Sequence, residues 1–173
     1  LPSLLFMTFI PVLFGFSLWP ILAAWGKEVL SIGPVGLGWL NAAQGVGAVI
    51  ASLILAALTL SRRGRVILII CLVWGIALSI FANTKTMLSA LLMLVLIGAL
   101  SGIFLALNTT LIQTYTSHHM RGRIMSISMM QWGIMPLSAV PFGIIATTTG
   151  STPLSLTISG ILLFICISIF WTF

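Results

Sequence analysis

Long stretches of this chain carry no charge at all: 1–26, 35–60, 66–82, 87–113 and 124–173. They are also continuously apolar. Such runs limit what the chain can fold into, because lipid supplies no hydrogen-bonding partners. Only helices or closed barrels satisfy their backbone there. Barrel strands alternate apolar and polar residues over about ten positions, and these runs do not alternate. Helices are therefore the expectation.

Composition closes the other routes. Only 5% of the residues are charged and 60% are hydrophobic, whereas a soluble domain is about 25% charged. The mean hydropathy is +1.29. Disorder would need low hydrophobicity and high charge. The net charge of +6 reflects seven basic residues against one acid. Because the basic residues sit between apolar runs, they read as topology signals and not as a nucleic-acid surface. Cys71 and Cys166 fall inside apolar runs with no metal-ligand or disulfide spacing.

A crossing needs about 20 residues, so 173 residues hold about six. The boundaries predict helices over about 5–25, 35–59, 66–82, 87–113, 124–146 and 154–171. The last charge-free stretch is divided at Thr147-Thr148-Thr149-Gly150-Ser151-Thr152-Pro153, a cluster of turn residues. The opening Leu1-Pro2-Ser3 has neither an initiator Met nor a basic n-region. It reads as the start of a piece of a longer chain.

Charge asymmetry orients the spans. Arg62, Arg63 and Arg65 lie in the second loop, Arg121 and Arg123 in the fourth. Lys27, beside Glu28, and Lys85 lie in the first and third loops. The positive-inside rule places the Arg-rich loops, and with them both ends of the segment, in the cytoplasm. Trp19, Trp25 and Trp39 near the opposite ends of the first two helices read as an interfacial belt.

No ionisable side chain falls at the centre of a predicted helix, so an intramembrane proton relay would have to lie outside this segment. Small residues cluster in the second and fourth helices. Ala43, Gly47 and Ala51 share one face, and Gly98 and Gly102 form a second small-xxx-small pair, both patterns that let helices approach closely. Asn41 and Gln44 lie three apart on one face. An amide facing lipid would be unsatisfied, so these two, with Asn108, Gln113 and Gln131, are expected to face protein or a cavity. Pro11, Pro20, Pro136 and Pro141 predict bends in the first and fifth helices, where transport proteins place their pathways. Phe14, Ser17, Asn41, Gln44, Ser101, Gln131, Met135 and Ser138 are the candidate cavity residues. For any one of them, ordinary helix packing is the competing reading. His118-His119 is a loop pair without a carboxylate. No metal site, cofactor site or nucleophile–base pair is predicted.

The stretch Glu28-Val29-Leu30 through Gly33-Pro34-Val35-Gly36-Leu37-Gly38-Trp39-Leu40, continued by Asn41-Ala42-Ala43-Gln44-Gly45-Val46-Gly47-Ala48, resembles the outer loop and helix-eight start of major facilitator superfamily exporters. The likeness is to the macrolide-efflux and enterobactin-exporter branch. Asn108, Gln113 and Arg121-Gly122-Arg123-Ile124-Met125-Ser126 resemble that branch's helix ten and following loop. Pro136-Leu137 and Phe142-Gly143 match its helix eleven loosely. The loop Ser61-Arg62-Arg63-Gly64-Arg65 departs from the family motif by lacking its Asp.

This resemblance implies an all-α membrane protein: the C-terminal six-helix half of a major facilitator fold, built as two inverted three-helix repeats. It implies that the first, second, fourth and fifth helices line a central cavity and that the third and sixth face lipid. Its partners would be a small-molecule substrate, the lipid bilayer and an N-terminal six-helix half. It implies alternating access, with efflux of a small amphipathic compound of drug or siderophore class across the cell membrane. The five arginines would help close the cytoplasmic side. A non-transporting membrane scaffold is the alternative from another class.

Overall fold

The structure, a computed structural model, describes residues 2–57, 63–115 and 121–171. Side chains are described from Phe9 onward, apart from scattered positions. No strand occurs among the described residues. Eight α-helices make up six hydrophobic passes. The first pass is α1 (Pro2–Gly15) with α2 (Leu18–Val29). The next three are α3 (Pro34–Ala57), α4 (Arg63–Ala82) and α5 (Met87–Tyr115). The fifth pass is α6 (Arg121–Ile134) and α7 (Ala139–Thr149), joined by a 3₁₀ turn (Met135–Ser138). The sixth is α8 (Thr152–Trp171). Five passes are long and apolar enough to cross a membrane, and Pro136–Thr149 is a shorter apolar segment.

The two broken passes are those with internal prolines. Pro20 has no N–H to give the Phe16 carbonyl, so the Trp19 N–H takes that carbonyl instead, at 3.1 Å. The helix tightens and re-aims between α1 and α2. Pro136 and Pro141 likewise withdraw the donors that would serve the carbonyls four residues earlier, and the chain there winds as a 3₁₀ turn. The predicted single helices over 5–25 and 124–146 are thus each two helices around a break. Termini elsewhere follow ordinary capping chemistry. Pro34 opens α3, where its missing donor costs nothing. Thr86 caps α5 through its hydroxyl, which accepts from the Ser89 N–H at 3.3 Å. Gly150 ends α7 in the left-handed region, at φ 65°.

The packing shows an internal repeat. The first three passes and the last three can be exchanged on paper. The α3/α5 pair then maps onto the pair of broken passes, and α4/α5 maps onto α8 against α1 and α2. The α4/α8 pair maps onto itself. Every one of these pairs is packed. Each set has an odd number of passes, so the second set starts from the opposite face and the two are inverted. At the self-mapped pair, Gly75 and Gly160 face each other. A Cβ added to Gly75 would meet the Gly160 carbonyl oxygen at 2.7 Å, and one added to Gly160 would meet the Gly75 oxygen at 2.6 Å.

One continuous apolar core ties the passes together, with Trp25, Trp74, Phe81, Phe104 and Phe142 fully buried. Trp74 stands edge-on to Phe16 at 5.1 Å, a favourable aromatic geometry. Trp25 corrects the sequence expectation of an interfacial belt. It is buried, stacks on Phe81 at 4.4 Å, and donates its indole N–H to the Ala82 carbonyl at 3.2 Å. That carbonyl, at the end of α4, has no partner within its own helix. Glu28 does a related task across the same end of the bundle. Its carboxylate accepts from the Thr152 N–H at 3.1 Å and the Thr152 hydroxyl at 2.7 Å. A negative charge thereby sits on the N-terminus of α8, where the helix dipole favours it.

Candidate functional site: a neutral cleft between four passes

The α3/α5 seam sets the site. A Cβ on Gly47 would overlap the Val95 carbonyl, and one on Gly98 would overlap the Gln44 carbonyl. A Cβ on Gly102 would lie 3.1 Å from the Ala48 Cα. Backbones this close need small residues on both sides. The small residues proposed for packing accordingly lie on or beside this seam. Gly47, Gly98 and Gly102 make the contacts, Ala43 is half-buried against the core, and Ala51 is buried.

Along one edge of the seam a cleft of about 260 Å³ opens toward the broken passes. The α3 wall supplies Asn41, Gln44, Gly45 and Ala48. The α5 wall supplies Ser101, Gly102 and Leu105. Phe16 and Trp19 come from the α1–α2 break and Trp132 from α6. All four passes that the family resemblance assigned to a cavity therefore contribute.

The cleft holds polarity without charge. Gln44 is 7% exposed, and its side-chain amide makes no hydrogen bond to a described residue. Leaving such a group unmatched costs about 1–3 kcal/mol, so a partner beyond the described residues, such as water or a ligand, would complete it. Asn41 donates to the Leu37 carbonyl at 2.9 Å, which keeps its oxygen as an acceptor. Ser101 donates to the Gly98 carbonyl at 3.0 Å and likewise keeps an acceptor. Half-exposed Trp19 and Trp132 add flat apolar faces. The arrangement suits an uncharged or delocalised aromatic surface carrying a hydrogen-bonding group, and it offers nothing for acid–base or nucleophilic chemistry.

The other candidates fall elsewhere. Ser17 is fully buried and donates back to the Phe14 carbonyl at 2.7 Å, which satisfies its own helix. Phe14 packs edge-on against Phe142 at 6.1 Å. Ser138 is buried in the 3₁₀ turn. The side chains of Gln131 and Met135 lie outside the described residues. Arg62 and the His118-His119 pair lie outside them too, as do the side chains of Arg63, Arg121 and Arg123. Arg65 is exposed in the first turn of α4. Sequence reasoning missed Phe16, Trp19 and Trp132 as cleft residues. The signal for Trp19 and Trp132 was their position at a proline-bent joint, which outweighs the general preference of Trp for the interface.

Comparison with known proteins gives one match. The family model described as Major Facilitator Superfamily matches residues 4–173. No curated protein and no solved structure matches the chain.

Proposed function

The chain belongs to the major facilitator superfamily, and on that premise we propose that its six passes form one half of a secondary transporter exporting a small amphipathic compound. Family members are multi-pass membrane transporters and not enzymes. The finer reading rests chiefly on Gln44, a nearly buried amide that faces a cleft with no partner among the described residues. A ligand that hydrogen-bonds this amide and lays an aromatic face on Trp19 or Trp132 would gain both contacts at once.

In this proposal the unit rocks against a second six-helix half, and the cleft is closed on its remaining side by that half. The resemblance to the macrolide and enterobactin exporters supports the direction, outward, and the compound class, drug or siderophore. The Arg-rich loops face the cytoplasm, and the membrane is the cell membrane. Coupling to the proton gradient runs through groups outside this segment, since the centres of its passes contain none.

The test is reconstitution of the full-length protein in proteoliposomes with an imposed proton gradient. A panel of labelled neutral and cationic aromatic amphiphiles is the probe. At least one compound should move faster than in protein-free vesicles. Gln44→Leu should raise its KM about tenfold, the loss of one buried hydrogen bond at about 1.4 kcal/mol. A KM unchanged by Gln44→Leu would remove the cleft from the substrate path.

A further inference from the structure

A second cavity shares none of the cleft's lining residues. It is a groove of about 670 Å³ along the α4/α8 seam. We propose that this groove holds one phospholipid of the surrounding bilayer, with an acyl chain in its apolar length and the headgroup at its polar end. The inference rests on the chain spanning a membrane, and it is independent of the transport reading.

The lining is graded along the helix axes. Ile76 and Ile80 from α4 face Ile161 and Phe164 from α8, and all four are partly exposed. Gly75 lies at the deep end, where the two helices touch backbone to backbone. The other end is polar, formed by Asn83, Thr84, Ser89 and Thr157. From Gly75 to Asn83 is eight residues, a rise of about 12 Å. One leaflet's share of the hydrocarbon core is about 15 Å. The groove therefore has the length of one leaflet and turns polar at the depth where a lipid does.

The polar end also has matching chemistry. Asn83 donates to the Ser79 carbonyl at 2.8 Å and reaches the Thr157 hydroxyl at 3.4 Å. Its side-chain oxygen has no partner among the described residues, which suits a headgroup hydroxyl such as those of phosphatidylglycerol. Lys85, two residues on, is exposed beside this end. Its positive charge would favour an anionic headgroup there.

The full-length protein, delipidated in mild detergent, would be titrated with 1-palmitoyl-2-oleoyl-phosphatidylglycerol and read by native mass spectrometry. One lipid per chain should survive activation that strips the rest. Ile80→Trp fills the groove and should cut this retention about tenfold. Leu53→Trp, exposed on α3, which contributes nothing to the groove, should leave it unchanged. Lys85→Glu, in a loop where folding is not at stake, should weaken retention about fivefold. Wild-type retention in either Ile80→Trp or Lys85→Glu overturns the proposal, as does equal loss in Leu53→Trp. Transport activity plays no part in the readout, so failure here leaves the cleft untouched, and the reverse.

Discussion

The α3/α5 pair and the pair of broken passes occupy equivalent places in the two repeats, yet they are built in opposite ways. Where α3 meets α5, glycines bring two unbroken helices into backbone contact at Gly47 and Gly98. Where the broken passes meet, prolines remove backbone donors, and each pass re-aims partway across, at Phe16-Ser17 and at Met135–Ser138. The cleft lies between them, with one wall from each pair. The same position in the same topology thus yields a rigid wall or a bent one, according to whether its residues are small or lack a donor.

The sharpest way to break this comparison is to add one methyl group at two places in the α3/α5 wall. Gly98→Ala places a Cβ on the Gln44 carbonyl, and overpacking against backbone that cannot yield costs about 3 kcal/mol. Thermal unfolding of the detergent-solubilised full-length protein should show the loss. Gly45→Ala, on the facing seam helix α3 but with open space around it, should cost nothing. Equal behaviour of the two would mean that α3 and α5 are not locked.

Next in size is the bent wall. Pro136→Ala returns a donor to the helix that the 3₁₀ turn interrupts. Stability should hold or rise, while turnover falls about tenfold, or ~1.4 kcal/mol in barrier. Transport rates in proteoliposomes set beside the melting curve separate the two effects. Unchanged turnover would make the break ornamental to the cycle.

The smallest effect concerns how the broken pass is anchored. The Ser155 hydroxyl, fully buried on α8, donates to the Phe142 carbonyl on α7 at 2.6 Å. Ser155→Ala should destabilise the fold by about 1 kcal/mol. Hydrogen exchange should rise in α7 and stay flat in α3 and α5. A uniform rise would show that the two walls share one cooperative unit.

Several of these features could be read before any coordinates. Helical periodicity placed Ala43, Gly47 and Ala51 on one face, and the structure sets Gly47 of that face against α5. The amides Asn41 and Gln44 were legible as cavity residues, because a polar group in lipid must find a partner. The serines were less legible, since a hydroxyl can satisfy itself on its own helix, as Ser17 does with Phe14. The tryptophans were ambiguous for a related reason. Indole suits both the membrane interface and a buried hydrogen bond, and nothing local distinguishes half-exposed Trp19 from fully buried Trp25.

By itself the sequence determined that this chain is a set of helices in a membrane, roughly where they start and stop, and which two are bent. Those are local matters: charge excluded from hydrocarbon, and donors missing at proline. Only the tertiary structure decided which faces meet. It chose α5 as the partner of the glycine face, brought the aromatics of two broken passes to the amides of a third, and left a lipid-length groove between α4 and α8. Such choices depend on shape complementarity between residues far apart in sequence, which hydropathy and spacing do not encode.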